Sequence, residues 1–230
     1  MKKSNAINLI TSLTIAATLA VLAGCTTKSN YQQGAATGAQ LVDASGKIAD
    51  GTGQIDATLT SLNDLVNNPQ GDLVPKFKKF NDNVASLQAL ADNVKSRFTD
   101  ARVKGNQYFQ DWDAQIATIR NQDIKDASTK RRNAVMQEYN DLKRSYAQTQ
   151  ISLDPFMSDL KDIQTALSSD LTVGGVGAVK GAADKANNHG AQLKASLLQL
   201  SSDFRTLGTA MQASGPTPEP AATGTNQMNQ

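Results

Sequence analysis

The chain has one cysteine, one histidine, one tryptophan and six prolines, and aromatic residues make up only 5% of it. A single thiol excludes intramolecular disulfides and thiolate metal clusters, and a single imidazole excludes any site that needs two. No metal or cofactor is therefore expected. A surplus of charge is also missing. Lys2 and Lys3 supply the whole formal charge of +2; without them the 23 basic residues fall to 21, equal to the 21 acidic ones. A neutral chain lacks the basic footprint of a nucleic-acid binder. Strand-like alternation of useful length is absent.

Catalytic signatures are missing too. There is no His-Glu-x-x-His, no phosphate-cradling Gly-x-x-x-x-Gly-Lys-Ser/Thr and no Gly-x-Ser-x-Gly. The glycines of LTVGGVGAVKG lack a preceding strand and the Lys-Ser/Thr ending, so they are expected to break a helix. His189, beside Gly190, reads as a surface or seam-edge histidine. Asp111 and Asp113 flank Trp112, and alternate positions diverge on a helix, so they make no acid–base pair. The chain is expected not to be an enzyme.

What is present begins with an address. Lys2 and Lys3 precede a largely apolar stretch from Ile7 to Ala23 that ends in Leu22-Ala23-Gly24-Cys25. A positive start, an apolar middle and a small-residue end describe a secretory signal peptide. The Leu-Ala-Gly-Cys ending resembles the lipobox of bacterial lipoproteins, which implies cleavage before Cys25 and acylation there. Several acyl chains at one residue meet the two-signal requirement for stable anchoring. Thr26 follows Cys25; by the same resemblance, a residue other than Asp implies the outer membrane of a two-membrane bacterium, with the protein facing the periplasm.

The remainder is a heptad ruler. The longest run is Leu73, Phe77, Phe80, Val84, Leu87, Ala91, Val94, Phe98, Ala101, Gly105, Tyr108, Trp112, Gln115 and Ile119, fourteen positions with one polar residue and one glycine. An a/d seam of this length argues for coiled-coil packing over a rod of roughly 70 Å. A second run takes in Val135, Tyr139, Leu142, Tyr146, Thr149, Leu153, Phe156, Leu160, Ile163 and Leu167. Its helix is expected to start with Asp126 or Ser128 as N-cap, to end near Leu171, and to kink at Pro155. Two shorter runs flank this pair, Leu41 to Leu65 and Val176 to Met211. Gly46, Gly51 and Gly53 in the first weaken helix propensity by about 1 kcal/mol each. They leave two readings open, a frayed helix or a close helix–helix approach.

Punctuation marks four helices. Residues 67–72 form a turn with Asp72 as N-cap, residues 121–126 a short polar connection, and residues 171–175 the end of the third helix. The expected organisation is a signal peptide over 1–24, an acylated Cys25 and polar tether over 25–35, a helical bundle over 36–213, and a disordered, Pro-containing tail over 214–230. Short connections make neighbours antiparallel. The fold class is therefore all-α, an elongated antiparallel bundle or coiled coil of about four helices, two of them long. The long hairpin should overshoot the first helix by about 20 Å on the membrane side.

Nine of the eleven aromatics fall on these seams; only Tyr31 and Phe109 do not. Phe109 is expected to touch a third helix or to mark a partner surface. At the hairpin tip Arg120, Lys125, Lys130, Arg131 and Arg132 face only Asp123 and Asp126, an excess of three positive charges. The tip is either an ordinary solvated helix end or a contact for membrane or an acidic envelope polymer.

The segments YFQDWDAQI (108–116), RRNAVMQEYNDL (131–142) and ISLDPFMSDLKDIQTAL (151–167) resemble an uncharacterised family of bacterial coiled-coil proteins, many of them lipoproteins, grouped as a domain of unknown function. The resemblance covers most of residues 30 to 213 and implies helical rods on the cell envelope. It carries no functional residues with it. The resulting expectation is a non-enzymatic, lipid-anchored periplasmic spacer or adaptor with an envelope protein partner. The alternative is a membrane- or lipid-binding helical protein acting at the bilayer surface. The sequence leaves partner identity and oligomeric state open.

Overall fold

The computed structural model describes residues 29–213. The expected signal peptide, Cys25, the first part of the expected tether and residues 214–230 lie outside the described residues. Five helices follow in order: α1 (Asn30–Asn67), α2 (Leu73–Thr118), α3 (Gln122–Ser169), α4 (Val173–Ala178) and α5 (Lys180–Gln212). Among the described residues there is no strand.

Caps set the boundaries. Ser29 starts α1 with a reciprocal capping box: its hydroxyl accepts from the Gln32 amide, and the Gln32 side chain accepts from the Ser29 amide. The helix thus begins inside the stretch expected to be tether. Asp72 accepts from the Val74 amide and starts α2, as expected. Gly71, at φ 78°, supplies the left-handed residue of the turn before it.

Asn121 caps α3 through the Ile124 amide at 3.0 Å, so this helix begins at Gln122 rather than after Asp126 or Ser128. No apolar period marks its first turns. They are held instead by that cap, by Asp123 at the positive helix end and by a Gln122–Asp126 hydrogen bond. α3 runs on as helix through Pro155 to Ser169, two residues short of Leu171. Ile151, whose carbonyl loses its intrahelical donor to Pro155, lies on the solvent side, where water can replace that donor.

The fourth expected helix is divided. The break after α3 falls at residues 170–172, and the glycine run itself is helical in α4, capped by Thr172 on the Gly175 amide. Val179 alone joins α4 to α5.

The seams are the core. Every third-or-fourth position of the first and last runs is buried: Leu41, Ala44, Ile48, Gly51, Ile55, Thr58, Leu62 and Leu65 in α1, and Val176, Val179, Ala183, Ala186, Gly190, Leu193, Leu197, Leu200, Phe204, Leu207 and Met211 across α4 and α5. Cross-helix contacts fix the topology. Gly34 meets Tyr108 and Gly51 meets Leu90, so α1 and α2 are antiparallel. Phe98 stacks on Tyr146, with ring centroids 3.6 Å apart, and Gln164 reaches Asn81, so α2 and α3 are antiparallel. Thr149 meets Ser196 and His189 meets Asp159, which sets α5 antiparallel to α3. The result is an up-down-up-down bundle.

The tightest pair is α1 with α5, and glycine is the reason. A Cβ on Gly208 would lie 2.7 Å from the Gly38 carbonyl oxygen, and one on Gly38 would strike the Gly208 carbonyl in turn. Nearby the Ser201 hydroxyl donates to the Ser45 carbonyl at 2.8 Å. Backbones this close leave no room for a β-carbon. The two readings of the first helix divide by residue: Gly51 packs under Leu90 and Leu197, whereas Gly46 and Gly53 face open space.

Candidate functional site

The end of the α2–α3 hairpin is the part of the bundle built differently from the rest. α1 enters opposite Tyr108, and α5 ends with Gln212 beside Gly38. α1 reaches about one turn further, to Asn30 at the level of Trp112, and beyond it α2 and α3 continue alone to Thr118 and Gln122. They seal themselves with their own small core. Gly105 lets the Tyr139 ring lie against α2, since a Cβ there would stand 2.7 Å from the ring. The Phe109 ring packs 5.4 Å from Tyr139 and 5.5 Å from Tyr108. Trp112 Nε1 donates to Ser128 Oγ at 3.2 Å. The Arg132 guanidinium lies 5.4 Å over Phe109 and donates to Asp113 Oδ2 at 2.7 Å.

This arrangement answers two expectations. Phe109 is only 3% exposed and packs on Tyr139 of α3, so it is core rather than a partner surface. After Tyr108 the seam slips: Phe109, Trp112 and Ile116 are buried while Gln115 is exposed, as first α5 and then, past Trp112, α1 leave the core. Arg132 is a staple across the hairpin. Its pairing with Asp113 lowers the local surplus of three positive charges to two. Arg120, Lys130 and Arg131 stand exposed around the turn, with Lys125 half-buried. Ile124 is 58% exposed in the first turn of α3, and Ile119, at the end of α2, is half-buried.

Tyr139 lies within hydrogen-bonding distance of the Arg102 carbonyl at 3.1 Å and Asn106 Oδ1 at 2.9 Å. Its burial pushes the phenol pKa above its ordinary value, and burial does the same at Tyr146.

Two further concavities among the described residues are an apolar crevice and a groove of mixed charge. Along the crevice between α2 and α3, apolar residues including Ile55, Leu90, Val94, Leu153 and Leu197 enclose about 20 Å³, room for roughly one water. A broader groove between α1 and α2, about 270 Å³, mixes Asp43 and Asp100 with Arg97 and Lys104. His189 Nδ1 sits 2.6 Å from Asp159 Oδ2, half-buried at the seam edge, and joins α5 to α3. Asp111 accepts from Gln107 and Asp113 from Arg132, so the two carboxylates turn to different partners. Among the described residues no three His, Cys, Asp or Glu side chains are grouped to hold a metal ion. None of the described helices is long and apolar enough to cross a membrane.

No curated protein and no solved structure matches the chain. A family model does match it, over residues 37–213, and its span takes in the seams, the glycine contact between α1 and α5 and the stapled hairpin. The chain belongs to the family of proteins of unknown function DUF2959.

Proposed function

We propose that this protein is a lipid-anchored, non-enzymatic helical spacer or adaptor of the bacterial cell envelope, held through Cys25 on the periplasmic face of the outer membrane. One observation carries the reading: the four apolar seams bury one another within a single chain, so the outward polar faces are what the rod offers to a partner. The Leu22-Ala23-Gly24-Cys25 ending supports the anchor. Helices of 46 and 48 residues suit a spacer, since each spans about 70 Å. Position-specific photo-crosslinking in living cells tests the adaptor role. Probes at exposed Val103, Ile151 and Leu198 should give protein adducts confined to particular faces of the rod. Adducts to lipid alone from all three sites would contradict it.

A second reading rests on the loosest seam. α2 and α3 pack least closely of the neighbouring long helices, and Leu90 and Leu153 between them are only half-buried. A bundle opening there would present apolar faces to a bilayer. Binding of the non-acylated chain to vesicles, with loss of the Phe98–Tyr146 stack, would favour this reading over the first.

A further inference from the structure

We infer that the tip of the α2–α3 hairpin is a second membrane contact, a foot that rests on the anionic headgroups of the bilayer holding the lipid anchor. The inference rests on the acylation of Cys25 proposed above and adds a partner for the projecting end of the fold.

Register places the tip and the anchor at one end. Gly34 lies against Tyr108 and the Lys104 ammonium reaches Gln40, so successive residues of α1 run opposite descending residues of α2. The same register puts Ser29 level with Asp113. From there to Arg120 the hairpin projects about seven residues, or roughly 10 Å at the helical rise. Only four residue steps separate Cys25 from Ser29, and a chain that short spans at most about 14 Å when fully extended. Cys25 can therefore lie only a few ångströms below the level of the tip while the rod stands upright. An acylated cysteine sits at the lipid surface, so the tip is drawn to the headgroup layer.

The chemistry of the tip fits that surface. Ile124 is exposed in the first turn of α3, and the segment about it carries Arg120, Lys125 and, further along α3, Lys130 against Asp123 and Asp126. An exposed apolar side chain in a segment with a basic surplus suits the boundary between acyl chains and anionic headgroups. The Trp112–Ser128 and Arg132–Asp113 links hold the foot rigid, so contact at two points sets the direction of the rod.

The test uses the full acylated protein, reconstituted in vesicles of phosphatidylethanolamine and phosphatidylglycerol. Acylation occupies Cys25, so a spin label goes only to Ile124→Cys or, at the opposite end of α2, to Val74→Cys. Both parent side chains are exposed. The label at 124 should be shielded from a water-soluble paramagnetic relaxant several-fold more than the label at 74. Replacing phosphatidylglycerol with phosphatidylcholine, or introducing Arg120→Glu, Lys125→Glu and Lys130→Glu together, should restore its accessibility. Equal exposure at both sites would overturn the inference, as would equal shielding, which means a rod lying flat. Shielding at 124 that ignores both charge changes would overturn headgroup recognition. Co-flotation with the vesicles and the mass of the N-terminal peptide report separately on acylation, so a missing anchor and an idle foot give different results.

Discussion

Replacing Gly38 by alanine and Gly46 by alanine should move stability in opposite directions, although both lie in α1 only eight residues apart. Alanine in a helix interior is favoured over glycine by about 1 kcal/mol, partly because the unfolded chain is less free. At Gly46 nothing lies within 4 Å of the new Cβ, so that gain should appear in full. In a bundle of this size it corresponds to a rise in Tm of about 2–4 °C. At Gly38 the Cβ runs into the Gly208 carbonyl oxygen and lies 3.0 Å from the Gln212 amide nitrogen. Both are backbone atoms, which cannot swing away as a side-chain end can. Overpacking of this kind typically costs about 1–3 kcal/mol. Net of the propensity gain, Gly38→Ala should lose up to about 2 kcal/mol. Urea unfolding followed by far-ultraviolet circular dichroism measures both variants, with Gly53→Ala as a second open-site control. If Gly38→Ala stabilises as much as Gly46→Ala, the close contact of α1 with α5 is wrong.

Three further outcomes follow from the same packing. Phe156→Ala removes a ring with no exposed surface and should destabilise the bundle by about 3–5 kcal/mol in urea unfolding; a loss below 1 kcal/mol would show that the seam does not resume after Pro155. Trp112→Phe deletes the bond to Ser128, so amide exchange should speed up in residues 109–135 by a factor matching roughly 0.5–1.5 kcal/mol, with little change around Gly38 and Gly208. Tyr139 is held neutral by burial, so its folded pKa exceeds its unfolded value near 10. Its contribution is complete below that value and is lost as pH rises through the folded pKa. Alkaline unfolding should therefore be shallower in Tyr139→Phe than in the parent, and identical alkaline limbs would refute the assignment.

The four-helix arrangement was legible because a three-four period survives even weak residues: Thr58, Ala186 and Gly190 are buried at the positions the ruler assigns them. Asp72 as a cap was legible for the same kind of local reason, a short acceptor one step before an apolar run. What escaped was set by partners distant in sequence. The start of α3 is fixed by Asn121 and polar bonds, which have no period to read. The inward turn of Phe109 falls where α5 has ended and α1 nears its start, so the ring packs on Tyr139 of α3. Arg132 looked like one more tip cation, and only the antiparallel register brings Asp113 beneath it. A spacing rule that followed the slip from Tyr108 to Trp112 and Ile116 would have found the hairpin's separate core.

The account rests on a rod tied to a membrane at Cys25. Mass spectrometry of the N-terminal peptide, taken from the membrane fraction of cells that make the protein, tests this most directly. The account predicts a peptide that begins at Cys25 and carries diacylglyceryl and amide-linked acyl groups. A peptide that still contains Lys2 and Lys3, or one with an unmodified Cys25 thiol, would contradict it.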